Sequence, residues 1–302
     1  MVGTVSRANF PAALQVGINK WIRIAYDEYP MQCNIAFTDA GGSSKAYEET
    51  VAYQGLGLAE VKAEGAAVSF DSHQQGYKTR FTHMTYGKGV IVTREEVDDN
   101  QYMELGRARS RAVGFAMRQT RELVAASVYI NAFDSNYLGG DGASMISTSH
   151  PSAAGNWANR PTNGVDLSDA AIEDANTAIM AFTDDRGLRI SVRPRRLIVP
   201  RGLWGEAKRI TQSEYQPNTA NNAINVINGM FPEETLVYQY LTDEDAWFIL
   251  TSEKEGVKYF TRRALEVDRD NDFSTQNMLM MATERYSYGW DEPRGIYGSP
   301  GA

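Results

Sequence analysis

The sequence predicts an α+β fold built from two units, and three observations carry that reading. A proline-free stretch of about forty residues, Thr93 to Phe133, has the pattern of one long amphipathic helix. The segments on either side of it, Tyr47 to Thr93 and Gln276 to Trp290, alternate as strands do. Between residues 166 and 265 helical and strand patterns interchange, as expected of a compact α+β unit inserted into the first.

Composition narrows the function classes. A chain of 302 residues with 42% hydrophobic content can bury two modest cores or one large one. Its net charge of −8 argues against general nucleic-acid binding, because tracking phosphates needs a basic balance. No apolar run approaches the ~18 residues of a membrane span, and the start lacks a signal-peptide core. Cys33 is the only cysteine and there is no Asn-x-Ser/Thr acceptor, which fits a reducing cytosol. The 16 tyrosines suit half-buried contact surfaces between subunits.

Taken in order, residues 1–45 read as an arm with one helix between Pro11 and Tyr26, carrying Leu14, Ile18, Trp21 and Ile22. So few core residues require the arm to pack on something else. Strands are expected at Val51–Tyr53, Leu56–Val61, Ala66–Phe70 and Tyr77–Thr93, with turns at Gly65 and across 71–76. Neither face of the last strand reads as a core, so this hairpin region, 46–93, should lie against another surface.

The long helix opens with Thr93-Arg94-Glu95-Glu96, a capping box. Leu105, Ala108, Ala112, Phe115, Ala116, Leu123, Ala126, Ile130 and Phe133 share about a third of its circumference, so this stripe is expected to hold the return strands near Met278–Trp290. Arg107, Arg111, Arg118 and Arg121 form a second stripe about 130° away, expected to face a neighbouring subunit or the interior of an assembly. A helix of this length reaches about 50–60 Å, which predicts a flat or elongated subunit. Residues 134–165 then read as a long loop, which usually has a function or a partner. Further on, a helix from Asp166 or Ser168 to Phe182, a strand Arg196–Val199, a helix Gly202–Ser213 and an asparagine-rich loop 216–230 are expected. Strands follow at Thr235–Leu241, Ala246–Leu250 and Val257–Leu265.

The chemistry-bearing motifs are sparse. Gly55-Leu56-Gly57 lacks the third glycine of a dinucleotide fingerprint, Gly76-Tyr77-Lys78-Thr79 lacks the upstream glycine of a phosphate loop, and no cofactor is expected. Asp71, His73 and His83 could face one another across a hairpin and hold a metal, but no fourth ligand has matching spacing. Solvated strand residues are the simpler reading. His150, in Ser149-His150-Pro151, could act as a base beside Asp141, against the plainer reading of a loop histidine held by a backbone hydrogen bond. The acidic groups at 98–99, 184–185, 233–234 and 243–245 read as caps and turns rather than catalytic carboxylates.

Several strings occur in a telling order: Gly140-Asp141-Gly142, Ser147-Thr148-Ser149-His150-Pro151, Asp184-Asp185-Arg186-Gly187-Leu188, and Pro194-Arg195-Arg196-Leu197-Ile198-Val199-Pro200 before a helix. With the long helix they resemble tailed-phage major capsid proteins of the Hong Kong 97-type fold, and most closely the Mu-like prophage major head subunit family, over residues 45–290. The resemblance implies an N-terminal arm (1–45), an extended hairpin loop (46–93), a peripheral domain with a spine helix (94–165) and an axial domain (166–265). It also implies return strands of the peripheral domain at 266–302.

It implies a structural protein without a catalytic site, part of the virion, assembled in the host bacterial cytoplasm into an icosahedral shell around double-stranded DNA. Its partners would be copies of itself in hexamers and pentamers, separate scaffolding and portal proteins, a decoration protein, and DNA contacted weakly and without sequence specificity. Met1 at the start of the arm favours a separate scaffold over a removed propeptide. Some capsids of this fold cross-link a hairpin lysine to a neighbour; Lys62 and Lys78 lie in that region, but no string around them identifies that chemistry, so they stand only as candidate contact residues. The alternative on the same fold is an encapsulin-type nanocompartment shell enclosing a cargo enzyme.

Overall fold

The computed structural model describes residues 19–302 apart from 73–74, 94, 96–101, 216–223, 254, 273 and 276. Most of the capping box, His73, the start of the first helix and part of the asparagine-rich loop lie outside the described residues. Three sheets organise the chain. The first has the order β1 (Thr38–Gly42), β8 (Val257–Asn271), β9 (Met278–Trp290) and β4 (Met84–Val92). The second runs β10 (Ile296–Ser299), β7 (Trp247–Thr251), β5 (Pro194–Val199) and β6 (Leu236–Val237). A two-stranded ribbon pairs β2 (Tyr47–Tyr53) with β3 (Gln75–Thr82).

The long helix is Tyr102–Ile130 and packs on β4 and β9. Near Val113 and Met117 it shares a core with Ile22, Met280 and Ala282; near Ala125 and Tyr129 it meets Cys33, Phe248 and Ile296. Tyr129 and Phe248 thus join the first sheet's core to the second's. A separate core on the other side of the second sheet holds Ile172, Ile179, Leu197, Trp247 and Ile249. The helix Asp169–Met180 buries Ile172, Ala175 and Ile179 there, and Ser168 caps it by accepting from the Ala171 amide at 3.2 Å. Trp204–Gln212 is the next helix, close to its expected bounds.

Several expectations are corrected. No strand forms at 56–61 or 66–70: Leu58, Val61 and Phe70 are 80%, 100% and 97% exposed, so these residues have nothing in their own subunit to alternate against. The single strand expected from Tyr77 to Thr93 breaks at His83, where the chain leaves the ribbon and Met84 begins pairing with β9 opposite Tyr286. β8, part of which was expected in the 166–265 unit, belongs to the first sheet. β10, expected with the return strands, closes the second sheet by pairing with β7. The two units therefore exchange strands rather than meeting at one boundary.

The buried face of the long helix is only partly the expected one: of the expected stripe Ala126 is 0% exposed and Phe133 packs on the core, but most of the buried side lies elsewhere. Val113, Met117, Ala125 and Tyr129 are buried, whereas Phe115 and Leu123 are 52% and 55% exposed. The buried side carries Arg118, Arg121 and Glu122 as well, and these charges hide the core face from a hydropathy pattern.

Candidate functional site

The ribbon and the loop it carries form the first surface that can do work. Residues 54–72 run without a strand between β2 and β3 and expose their apolar side chains. The loop is nonetheless anchored. Asp71 accepts from the Gly57 amide at 2.9 Å and the Ser72 amide at 2.8 Å, and pairs with the Arg186 guanidinium. The Gly57 hydrogen bond, with Arg186 next, holds the Asp71 carboxyl down at about 2. Gly187 closes the turn behind Arg186 with φ +83°. Lys62 lies on the exposed loop and Lys78 on the exposed face of β3.

His83 sits at the root of the ribbon. It is 3% exposed; Nδ1 shares a hydrogen bond of 2.9 Å with the Ser287 hydroxyl, and Nε2 is buried without a partner. Burial, reinforced by the Arg285 and Arg262 charges and opposed by Glu48, holds its pKa below the ordinary value; Phe260 packs edge-on against the ring. A histidine whose folded pKa is depressed contributes stability that is complete above the unfolded value of about 6.5 and is lost as pH falls below it. Urea unfolding of unassembled subunits should therefore show the native chain losing ground to His83→Gln as pH drops from 7.5 toward 5. A constant difference across that range would refute the assignment.

The four arginines of the expected basic stripe divide. Arg107 is exposed, and Arg111 is half-exposed and pairs with Glu28 at 3.4 Å. Arg118 is 6% exposed: it donates to the Pro30 carbonyl at 3.1 Å and lies over the Tyr29 ring. Arg121 is 9% exposed and donates to the Tyr288 and Tyr26 hydroxyls at 2.9 and 3.2 Å, with Glu284 at 3.6 Å. Arg118 and Arg121 thus hold their own subunit together and are not available to a neighbour, which corrects the expected face. Beside them Glu122 accepts from the Gln32 and Cys33 amides at 2.6 and 3.0 Å, capping the short helix Cys33–Ala36. Burial pushes the Cys33 thiol up to about 11, which leaves it unreactive.

His150 and Asp141 are brought together, as one sequence reading allowed. Nδ1 lies 2.7 Å from Asp141 Oδ2, and Nε2 lies 3.0 Å from Asn159 Oδ1. The Asn159 amide nitrogen donates to the carbonyls of Met145, Pro293 and Ile296, so its oxygen must accept and His150 Nε2 must donate. The ring is 1% exposed, stacks on Trp157, and its backbone exchanges two hydrogen bonds with that residue. With both nitrogens engaged and no access for a substrate, the pair is a clasp inside the 134–165 loop, not a general base. Asn159 went unread in the sequence because Asn-Arg-Pro looks like an ordinary turn. Among the described residues no group of three or more metal-ligating side chains converges.

The family model described as "Phage capsid protein" matches residues 76–299, from β3 through the long helix to β10, leaving out β1 and β2. No curated protein matches the sequence. Among solved structures, the fold is similar to the capsid of an empty GTA particle (TM-score 0.52, 13% identity, covering 89% of each chain). It is also similar to the mature capsid of bacteriophage PhiM1 (TM-score 0.51, 10% identity, 89% of this chain and 86% of that one). A third similar structure is a virus-like particle from Pyrococcus furiosus (TM-score 0.51, 10% identity, 93% and 97%).

Proposed function

This chain belongs to the phage capsid protein family, has the Hong Kong 97-type fold and is a major capsid protein, and from that premise we propose how its parts close a shell. The observation that carries the reading is the family match across residues 76–299, about three quarters of the chain, from the second strand of the ribbon through the long helix to β10. Many copies assemble, and each leaves its 54–72 loop for a neighbour to cover. The long helix with the first sheet acts as the peripheral domain. The second sheet with its two helices acts as the axial domain, gathering around five-fold and six-fold axes in pentamers and hexamers. Modest contacts sum to a stable assembly because a closed shell repeats them.

The finer reading is a Mu-like head subunit, free of catalytic activity, that assembles in the host bacterial cytoplasm with separate scaffolding and portal proteins. A decoration protein on the outside and packaged DNA touched weakly within complete it. The nanocompartment alternative draws support from the likeness to the Pyrococcus furiosus particle, but that likeness is no stronger than those to the GTA and PhiM1 capsids, and the family match favours the phage reading. Electron micrographs of the purified chain, expressed with its scaffold, should show closed shells of uniform size. A clean monomer under the same conditions would overturn the proposal.

A further inference from the structure

The ribbon and the first sheet splay apart beyond His83. β4 follows β9 only as far as Met84 opposite Tyr286, and β3 pairs with β2 alone, so the end of β9 faces β3 across a gap. Two hydrogen bonds close the ends of that gap: His83 Nδ1 meets the Ser287 hydroxyl at 2.9 Å, and the Tyr77 hydroxyl donates to the Asp291 carbonyl at 3.2 Å. Between β3 and β9 lies a cavity of about 280 Å³, several times the ~30 Å³ share of a water molecule. Two residues on its walls carry buried polar atoms without a partner, Thr79 Oγ1 on β3 and Trp290 Nε1 on β9, and Thr79 is only 9% exposed. An indole N–H can only donate, so it requires an acceptor. Gly139 and Gly140 form part of the wall beside these atoms: a Cβ at Gly140 would stand 2.5 Å from Thr79 Oγ1, and one at Gly139 2.7 Å from Trp290 Nε1. Side chains in their place would block both donors.

We propose that this cavity binds a carboxylate group. Two donors on separate strands call for two acceptor oxygens, which a carboxylate carries in one plane. The charged residues lining the cavity are Lys78 and Arg80, both basic. Arg80 is paired with Glu49, while Lys78 is exposed. Asp141, the carboxylate next to the two glycines, does not fill the role: its oxygens are engaged by the Ala143 amide at 3.1 Å and by His150 Nδ1 at 2.7 Å. Phosphate would bring more oxygens than these donors satisfy. A bound carboxylate would tie Thr79 of the ribbon to Trp290 of the sheet and so fix the angle between them. Two sources offer the group, a free small acid and an aspartate or glutamate of another copy.

The first test uses the full-length unassembled chain, so its outcome is separate from shell formation. The nitrogen-15-labelled protein is titrated with sodium acetate at neutral pH and constant ionic strength, reading the Trp290 indole N–H resonance, identified as the one missing from Trp290→Phe. That resonance should move downfield and saturate at millimolar acetate. Thr79→Val, which keeps the shape and removes the hydroxyl, should weaken binding at least threefold with an unchanged circular dichroism spectrum. Acetamide, which lacks the charge, and inorganic phosphate should each bind at least fivefold more weakly than acetate. No saturable shift, equal binding of acetamide or phosphate, or indifference to Thr79→Val would overturn the proposal. Should Thr79→Val fail to fold, Trp290→Phe serves instead: saturation transfer to the acetate methyl group should fall at least threefold, and its persistence would overturn the proposal. Sedimented shells, read by solid-state NMR at the same indole, separate the sources. A resonance at the free position that acetate moves marks a free acid, and one already at the bound position without acetate marks a carboxylate of another copy. A free resonance that acetate leaves in place would overturn the proposal.

Discussion

Arg121→Ala should destabilise the unassembled subunit by about 3–5 kcal/mol, the usual cost of removing one partner from a buried ion pair. The side chains of Arg121 and Glu284 are 10% and 0% exposed. Without the guanidinium, the Glu284 carboxylate keeps only the Tyr26 hydroxyl at 2.8 Å, while the Tyr26 and Tyr288 oxygens lose a donor. The same guanidinium lies 5.2 Å from the Tyr286 ring centre and so also loses a cation–π contact. Total stability of a domain is about 5–15 kcal/mol, so the loss would be visible as a large drop in urea midpoint.

A second substitution separates charge from packing. Glu284→Gln in the Arg121→Ala background removes the uncompensated charge and should recover part of the loss; no recovery, or a single-variant cost below about 1 kcal/mol, would show that the pair matters little. pH gives an independent check. Burial already raises the Glu284 pKa, and losing the cation raises it further. A carboxylate whose folded pKa lies above its unfolded value costs stability once it ionises, so the deficit of Arg121→Ala should shrink as pH falls below neutrality.

These residues also show what the sequence made legible and what it hid. The long helix could be read from its missing prolines and its regular apolar spacing, and the inserted helix from Ser168 and the spacing of Ile172, Ala175 and Ile179. Its rotation could not be read in the same way. The periodicity of Phe115 and Leu123 is real, but it marks a face left uncovered within the subunit, while the core face carries Arg118, Arg121 and Glu122 whose partners lie about 90 to 170 positions away in the chain. A moment computed along one helix cannot see such partners. The ribbon was legible as a hairpin without a core, yet its break at His83 depends on β9, nearly two hundred residues later, taking over the pairing. In the same way β10 joins the second sheet because β7 offers it an edge, a contact no local pattern announces.

Asn159→Asp should cost about 3–6 kcal/mol through a change of one side-chain nitrogen to oxygen, because a buried group left unsatisfied costs roughly 1–3 kcal/mol and this change affects several at once. Asn159 is 0% exposed. Its amide nitrogen donates to the Met145, Pro293 and Ile296 carbonyls at 2.9, 3.1 and 3.2 Å, and its oxygen accepts from the Ser147 amide at 2.8 Å as well as from His150. Aspartate would set an acceptor against three acceptors. Attraction to His150 offsets some of that loss but cannot supply the missing donors. The side chain ties the 134–165 loop to the turn at 293–296, and that turn leads into β10, so the effect should reach the second sheet. Hydrogen exchange should accordingly show lost protection at the amides of β7 and β10 as well as in the loop. His150→Ala, which leaves the three carbonyl bonds in place, should cost less than Asn159→Asp. If the order were reversed, the histidine rather than the asparagine would be the organising residue of the loop.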